Sequence, residues 1–447
     1  MNYGVRWDVE TGLGKYVNPD YGSIQPRVGV AYAPDSKTVV RAGYGLFYDT
    51  YSLTFFFVAG PQRQPAIPGL PTAKNQQTGT YLLNTLVIPT PCVLAGCPAS
   101  PYGANTPPRT VIPPLVDTAF ENLITSKSFP NNSPYAQGGT SVDQNLREPY
   151  SEQSSLQIDR ELGQGFSVSA GYLWVAGHML VRPIDLNVDP PIGQETGTNK
   201  DIYAFGLLEP SIPAPPGGEP GTNGIFYYTD STGNSVYNGV TLEATEKRGQ
   251  YFRLNANYTF SKTFDNGTFT TFVSTPQSNY QRNLERALSN QDVRHRFIAN
   301  FVVDAPERSF ARNFEFSSIV TVQTPRPFTL FVGFDANNDG NPVTDRVGSS
   351  GRNTYFGDGL RSWDLRLSRN FTLPAEKAKL QIAADGFNVF NHANIDEVYS
   401  VYGAPDSIGP VPHHYKDGVT SAANPYFGTP RTAFNPRQLQ ISAKLTF

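Results

Sequence analysis

LQISAKLTF, residues 439–447, closes the chain with strict alternation of apolar and polar residues. The apolar positions are Leu439, Ile441, Ala443, Leu445 and Phe447, and the polar positions between them are Gln440, Ser442, Lys444 and Thr446. Because successive side chains of a β-strand point to opposite faces, this stretch predicts an amphipathic strand that continues to the last residue. Chain ends usually fray in soluble domains, so the terminal Phe447 indicates an end held in an apolar environment. A terminal edge strand of a soluble sheet is the alternative.

The same alternation recurs through the chain. Its clearest example is YFRLNANYTFSKTFD, residues 251–265, where aromatic and aliphatic residues alternate with Arg, Asn, Thr and Ser. Further alternating stretches lie at residues 3–9, 25–34, 37–49, 154–162, 166–177, 235–248, 292–306, 314–325, 361–374 and 379–391. Short links join several of them, as in β-hairpins. The pattern predicts an all-β fold of about a dozen antiparallel strands, with no amphipathic helix of convincing length.

The length of these strands and the chemistry of their faces favour a transmembrane β-barrel. Several stretches run for about 11 to 14 residues, whereas strands of sandwiches and propellers average about half of that length. Arg, Asn, Gln, Ser, Thr and Gly occupy the polar face, as a water-filled lumen requires, and aromatic residues lie near the strand ends. Backbone groups inside a membrane must all be paired, which requires a closed sheet. A soluble β architecture is the alternative.

The composition excludes several classes of protein. The chain has 447 residues, of which 13% are aromatic (24 Tyr and 29 Phe), 16% are charged and 2 are Met. A net charge of −3, with scattered Lys and Arg residues, gives no electrostatic basis for nucleic-acid binding. No apolar run is long enough to predict a transmembrane helix. Met1 leads directly into a strand pattern without a signal peptide, which predicts a cytosolic protein or a natural start upstream.

Two long stretches break the alternation. Residues 60–149 and about 185–232 are rich in Pro, Gly, Asn and Thr. Loops of such length are uncommon in compact domains but typical of one end of an outer-membrane barrel, whose other end carries short turns. Within the first stretch, Cys92 and Cys97 lie in PCVLAGCP. A disulfide in an oxidising compartment and two free thiols are equally compatible with that spacing.

Five blocks carry a family resemblance. They are PRVGVAYAPDSKTVVRAGYGLFYD, DVRHRFIANFVVDAP, GRNTYFGDGLRSWDLRLSRNF, DGFNVFNHANI and PRQLQISAKLTF, at residues 26–49, 292–306, 351–371, 385–395 and 436–447. In this order they resemble the C-terminal barrel portion of the Oar-like TonB-dependent receptors, members of the carboxypeptidase-regulatory-like/TonB-dependent receptor family. The resemblance covers residues 1–447. It implies a Gram-negative outer-membrane barrel of about 22 strands with long extracellular loops, of which this chain supplies about 12 to 14 strands.

The resemblance also implies an activity and partners. Family members sit in outer-membrane lipid, are inserted by a barrel-assembly machinery through a C-terminal strand such as Leu439 to Phe447, and take up solutes with the TonB complex. They carry a signal peptide, a carboxypeptidase-regulatory-like domain, a TonB box and a plug, none of which is recognisable in residues 1–447. We therefore expect a fragment of a receptor, whose TonB partner requires the missing N-terminal part. The alternatives are a small closed barrel acting as a passive pore and a structural or adhesive surface protein.

One stretch predicts a calcium-binding loop. DANNDGNPVTDR, residues 335–346, places side-chain oxygens at alternate positions before Gly340, as in the first half of an EF-hand loop. The candidate ligands are Asp335, Asn337, Asp339, Asn341 and Asp345. Arg346 stands where an EF-hand has a bidentate Glu, so Asp345 must substitute for it. An Asn/Asp/Gly-rich turn on an exposed loop is the alternative, and no other cofactor is predicted.

The sequence predicts no enzyme. No strand recognisably presents a converging set of Ser, His and a carboxyl or amide group. His295 lies on a predicted strand, which favours a structural role, and His413 and His414 share a loop. Five arginines on predicted lumen faces either favour anionic solutes or pair with carboxylates of the wall or of a plug: Arg41, Arg253, Arg294, Arg296 and Arg366.

Overall fold

The computed structural model covers most of the alternating stretches. The residues it describes are 1–13, 17–51, 139–143, 145–185, 191–203, 226–267, 275–333, 336–337, 339, 341, 344–373, 378–402 and 426–446. Several residues for which the sequence makes predictions lie outside these ranges: Cys92, Cys97, Asp335, Gly340, His413, His414 and Phe447.

The described residues form twenty β-strands and one short 3-10 helix, Arg282–Glu285. In chain order the strands are β1 (Asn2–Trp7), β2 (Ile24–Asp35), β3 (Thr38–Tyr48), β4 (Gly139–Val142), β5 (Tyr150–Gly163), β6 (Phe166–Asp185), β7 (Gly193–Gln194), β8 (Asp201–Ile202), β9 (Phe226–Arg248), β10 (Phe252–Asp265), β11 (Ala287–Leu288), β12 (His295–Asp304), β13 (Phe314–Gln323), β14 (Pro327–Phe328), β15 (Tyr355–Phe356), β16 (Leu360–Thr372), β17 (Lys379–Phe387), β18 (Ile395–Val398), β19 (Pro430–Ala433) and β20 (Gln438–Thr446). No helix in the described ranges is long and apolar enough to cross a membrane.

Fourteen strands form one large sheet, and twelve of these follow the chain as an antiparallel meander. Their order is β1-β2-β3-β5-β6-β9-β10-β12-β13-β16-β17-β20. Beside this path, β11 pairs with β10, and β4 pairs with β9 in the parallel sense. The predicted all-β antiparallel fold of about 12 to 14 strands is confirmed.

Short and long connections alternate along the meander. Short links join β2 to β3, β5 to β6, β9 to β10, β12 to β13 and β16 to β17, and the longest of them is residues 305–313. The links at the opposite ends of the strands are longer: residues 8–23, 49–149, 186–225, 266–294, 324–359 and 388–437. We call these two sides of the sheet the turn end and the loop end. The predicted contrast between short turns and long loops is thereby confirmed, as outer-membrane barrels require.

The two faces of the sheet differ in polarity as the alternation predicts. One row of register partners across seven strands is apolar: Val40, Ile158, Ala170, Leu242, Tyr258, Phe297 and Val322. The adjacent row consists of polar residues and one glycine: Arg41, Gln157, Gly171, Thr241, Thr259, Arg296 and Gln323. Five of these seven residues are exposed, for example Leu242 at 50%, and Val40 and Tyr258 are half-buried. An apolar surface that continues across so many strands fits a lipid-facing wall.

The predicted start of the second loop near residue 185 is confirmed, because β6 extends past the alternating stretch 166–177 and ends at Asp185. Two other loop predictions are wrong in part. β9 begins at Phe226, inside the predicted loop 185–232. β4 lies inside the stretch 60–149, for which the sequence predicts only a loop. The extensions of β6 and β9 pair with each other at the loop end. Main-chain hydrogen bonding holds them, so their sequences need no alternation of apolar and polar residues.

β1 and β20 stand at the two ends of the sheet order, and no pairing joins them in the part of the chain that is described. Their apolar side chains are strongly exposed, for example Tyr3 at 85% on β1 and Ile441 at 84% on β20. Each strand therefore presents a free main-chain edge at which a further strand can pair.

Candidate functional site

Four of the five predicted calcium ligands lie in the described part of the connection between β13 and β16. Asn337, Asp339, Asn341 and Asp345 are all buried, with at most 5% exposure. Asn337 Oδ1 accepts the Asp339 N–H at 3.0 Å, and Asp339 Oδ1 accepts the Asn341 N–H at 2.8 Å. Local turns of this kind are what Asn and Asp form between their side chains and nearby main chain. The turns are those of the alternative prediction, but these residues are buried and not exposed.

Further hydrogen bonds anchor this segment to its neighbours. Asn341 Nδ2 donates to Thr275 Oγ1 at 3.0 Å, and Asn337 Nδ2 donates to the Gln277 carbonyl oxygen at 3.3 Å. The amide and carboxylate oxygens are of the type that calcium prefers. No group of three or more His, Cys, Asp or Glu side chains in the described ranges is arranged to hold a metal ion. Calcium binding at this segment stays a prediction.

Four of the five arginines predicted on the lumen face pair with carboxylates of the wall. The pairs are Arg41–Asp159, Arg253–Asp304 at 3.0 Å, Arg294–Asp292 at 3.2 Å and Arg366–Asp385 at 2.9 Å. Pairing of this kind neutralises charges that would otherwise repel one another along the polar face. Of the two predicted roles, pairing within the wall is the one that the structure shows for these four arginines.

A polar cavity of about 610 Å³ lies at the loop end. The connections after β10, β13 and β17 line it, together with the last residues of β6. On its inner side lie Arg182, Asp265, Gln277, Glu285, Arg346 and Arg352, which we call the buried wall. On its rim lie the exposed residues Arg326, Asp358, Asp396, Glu397 and Arg431. Phe328, Phe331 and Val398 add apolar surface, so the cavity combines charged and apolar lining as ligand sites commonly do.

Glu285 is the centre of the buried wall, where it binds two arginines. Its Oε1 pairs with Arg346 and accepts the Gln277 main-chain N–H at 3.1 Å. Its Oε2 lies 3.9 Å from Arg352 Nε, which also donates to the Glu285 carbonyl oxygen at 2.9 Å. Arg352 in turn pairs with Asp265. Charge-assisted hydrogen bonds of this kind are strong because water is largely excluded.

Arg182 is the most buried cation of the cavity, with 3% exposure. It stands opposite Asp230 in the register of β6 and β9. The Asp230 carboxylate, however, binds Arg282, whose Nη2 lies 2.8 Å and 3.1 Å from its two oxygens. Arg182 Nη2 instead donates to the Arg282 carbonyl oxygen at 3.2 Å. Arg182 thus has no ion pair within the described residues.

A second polar layer lies behind the buried wall. Tyr203 is fully buried and donates to Ser278 Oγ at 3.1 Å, and Ser278 donates to the Asp201 carboxylate. Lys200 Nζ donates to the Arg346 carbonyl oxygen. Burial lowers the pKa of the Lys200 ammonium and raises the pKa of the Tyr203 hydroxyl. Lys200, which does not line the cavity, thus holds the Arg346 main chain in place.

His295 packs within an aromatic group at the loop end of β12. Its Nδ1 lies 2.7 Å from Tyr258 Oη, and its ring centroid lies 5.2 Å from that of Phe260. Aromatic residues at strand ends are typical of the interface girdles of outer-membrane barrels. The structure therefore places His295 in the structural role that the sequence favours.

The meander, its two faces and its two kinds of ends agree with a known family. Residues 9–347 and 334–440 match the family model described as "Outer membrane beta barrel domain". The chain belongs to this family. As an outer-membrane β-barrel domain, it lies in the outer membrane, and its exposed apolar face contacts lipid.

Solved structures similar to this outer-membrane β-barrel domain include the outer membrane transporter YddB from Escherichia coli, with 11% identity and a TM-score of 0.49, covering 96% of this chain and 41% of that chain. The ferripyoverdine receptor of Pseudomonas aeruginosa shows 11% identity and a TM-score of 0.44 over 96% and 33% of the two chains. The siderophore receptor PiuA from Acinetobacter baumannii shows 8% identity and a TM-score of 0.43 over 95% of this chain and 36% of that chain. The domain thus spans less than half of each of these chains. No curated protein matches its sequence.

Most of the buried wall of this domain was not predicted from its sequence. Arg346 stands out in the sequence only as a departure from the EF-hand pattern, and no pattern singles out the other wall residues. Arg182 lies in the extension of β6, which has no alternation, and Glu285 and Arg352 lie in connections. Local periodicity carries no information about such residues, because their partners are distant in the chain.

Proposed function

We propose that this outer-membrane β-barrel domain is the barrel portion of an Oar-like TonB-dependent receptor that takes up a solute, and that the loop-end cavity binds this solute. The observation that carries the proposal is the cavity of about 610 Å³ with a buried, charged wall. A pocket that combines apolar surface with fixed charged groups is the usual form of a small-molecule site.

The position of the cavity supports uptake from outside the cell. It is built from long connections of the loop end, which face the extracellular side in the proposed orientation. Below it, the polar face of the sheet offers a hydrated path along the strands. A passive pore has no need of a buried charged pocket above its lumen, and an adhesive protein has no need of a polar lumen. The proposed role is recognition and transport without catalysis.

Energised uptake requires elements beyond the barrel wall. The five blocks that resemble Oar-like receptors imply a plug inside the lumen and a TonB box that contacts the TonB complex. In the proposed receptor these elements precede the barrel portion, and further strands complete the sheet at the free edge of β1. The last strand, β20, then serves as the signal for the barrel-assembly machinery.

Mass spectrometry of native outer membranes tests the receptor proposal directly. We expect peptides of residues 1–447 in a polypeptide longer than 49.0 kDa, together with peptides of a plug and a TonB box. Dissipating the proton-motive force should then abolish uptake of the solute by cells that make this polypeptide.

Two results would contradict this proposal. A 49.0 kDa protein that forms steady channels in planar bilayers would support the passive pore. Cells that use the protein for attachment, and whose solute uptake is unchanged by its deletion, would support the structural or adhesive alternative.

A further inference from the structure

The buried charges at the loop-end cavity do not balance. Four guanidinium groups meet three carboxylates in the buried wall and the adjoining ion pair: Arg182, Arg282, Arg346 and Arg352 against Asp230, Asp265 and Glu285. Buried charges are normally paired, because an unpaired one loses its hydration without compensation. Within these seven groups, the excess is therefore one positive charge.

The excess charge can be assigned to Arg182. The other arginines each have a carboxylate partner: Arg282 binds Asp230, Arg346 binds Glu285, and Arg352 binds Asp265. The strand register places Asp230 opposite Arg182, but Arg282 occupies both of its oxygens. Among the described residues, Arg182 makes one hydrogen bond, from Nη2 to the Arg282 main-chain oxygen. A guanidinium group carries five N–H donors, so most of those on Arg182 have no acceptor within the described ranges.

Gln277 adds a second unused donor to the same wall. The residue is 8% exposed, and its Nε2 donates to no acceptor in the part of the chain that is described. Its main-chain groups are occupied, since its N–H donates to Glu285 and its carbonyl oxygen accepts from Asn337. A buried amide without a partner is costly. Both unused groups of the wall are thus donors, and one of them is a cation.

We infer that the buried wall binds an oxyanion group, a carboxylate or a phosphate, of a small solute. Arg182 pairs with the oxyanion and Gln277 Nε2 donates to it, so the ligand completes the charge balance and the hydrogen bonding of the wall. The exposed rim carries three acids, Asp358, Asp396 and Glu397, and two arginines, Arg326 and Arg431. Its excess of one negative charge disfavours an anion there, which orients the solute with its oxyanion toward the buried wall.

This inference rests on the proposed function, because it names the chemical class of the solute that the receptor recognises. It predicts an effect of replacing Arg182 that differs from the effect expected for a purely structural arginine. Replacing a structural buried arginine destabilises a protein, whereas removing an unpaired buried charge leaves stability unchanged or raises it. Substitution of Arg182 should therefore lower the affinity for the oxyanion without lowering the stability of the fold.

Equilibrium dialysis with radiolabelled succinate and inorganic phosphate, on the full chain purified in detergent, tests the inference. We expect Arg182→Met to weaken binding about tenfold to hundredfold, while the thermal unfolding midpoint stays unchanged or rises. Gln277→Leu should weaken binding less, and Arg182→Lys should give an intermediate affinity because it keeps the charge but loses the fork of donors. The matched control is Arg253→Met at the turn end, which removes an equal charge and should leave affinity unchanged.

Each outcome decides between a binding site and a structural cluster. Binding of succinate alone identifies a carboxylate-bearing solute, and binding of phosphate alone identifies a phosphate-bearing one. Three results would overturn the inference. The first is equal affinity of Arg182→Met and the unchanged chain, and the second is a lowered unfolding midpoint with unaltered affinity. The third is binding of raffinose but of neither anion. Failure of the inference leaves the receptor proposal standing, because energised uptake is measured in cells and does not depend on these probes.

Discussion

Arg352 binds Asp265 through two different groups of that residue, the carboxylate and the main-chain carbonyl oxygen, the latter at 3.0 Å. Asp265 is the last residue of β10, and Arg352 lies in the connection between β13 and β16. Because Arg352 also contacts Glu285 of the 3-10 helix, one guanidinium ties a strand end to two connections. These contacts of Arg352 attach the buried wall of the cavity to the end of β10 in the large sheet.

Arg352→Met should destabilise the folded chain by about 3 to 5 kcal/mol, the usual cost of removing one partner from a buried ion pair. The side chains of Arg352 and Asp265 are 16% and 5% exposed, so water compensates little for the lost contact. Urea unfolding in detergent, followed by tryptophan fluorescence, measures the change. The control is Arg248→Met, since Arg248 is 74% exposed in its pair with Glu246 and such pairs contribute about 1 kcal/mol or less. Equal effects of the two substitutions would contradict this role of Arg352.

Leu156 and Gln157 are neighbours on β5 that lie on opposite faces of the sheet, and they offer a test of the lipid-facing assignment. Leu156→Arg places a charge among the exposed apolar residues and should cost about 2 to 4 kcal/mol near the bilayer centre. Gln157→Arg places the same charge on the polar face near Asp159, to which Gln157 Nε2 donates at 2.7 Å, and should cost little. Heat-modifiable gel mobility of protein from outer membranes reports the folded fraction. Comparable loss in both variants would argue against a lipid-facing row.

The regular part of this fold follows from the sequence because its signal is local. Alternation in stretches such as 251–265 and 439–447 depends only on neighbouring residues, and it predicts the strands, their two faces and the antiparallel pairing. Short Gly-containing turns fix the register of hairpins, as at Gly163 and Gly165, both of which have positive φ. The strands and their hairpin turns can therefore be predicted from the sequence alone.

The functional site could not be predicted in this way. Arg352 and Asp265 are 87 positions apart, and Arg182 contacts Arg282 across 100 positions. Such contacts depend on how long connections fold over the loop end, and neither periodicity nor turn chemistry specifies that. The parallel pairing of β4 with β9 escaped prediction for the same reason. The predicted calcium segment lies beside the cavity, at Asn337 and Asp339, but the sequence alone could not show its burial.

Calcium should raise the thermal stability of the chain if the segment around Asp339 binds it. A ligand that binds only the folded state stabilises it by about 2.7 kcal/mol at one hundred times its Kd. We expect a higher unfolding midpoint in millimolar calcium than in a chelator, a smaller response to magnesium, and loss of the calcium response in Asp339→Asn. The control Asp304→Asn, at the turn end, should keep the response. Identical midpoints with calcium and with chelator would show that hydrogen bonds alone hold the segment.

A cross-linking experiment can show whether β1 and β20 pair with each other and so close the barrel. The described sheet shows no pairing between them, so cysteines introduced at Gly4 and at Gln440, Ser442 or Lys444 should form no intramolecular disulfide. A disulfide requires Cα atoms within about 7 Å, a distance that directly paired strands reach. Mass spectrometry after mild oxidation, with Cys92 and Cys97 replaced by serine, detects any cross-link.

The register partners Gln381 and Lys444 supply the positive control, because β17 and β20 pair at these positions. Their cysteine variants should cross-link readily. If Gly4 also cross-links to β20 in monomeric protein, the twelve strands of the meander form a closed barrel, and the passive-pore alternative gains over the receptor. If only the control cross-links, the edge of β1 is free for further strands, as a larger receptor barrel requires.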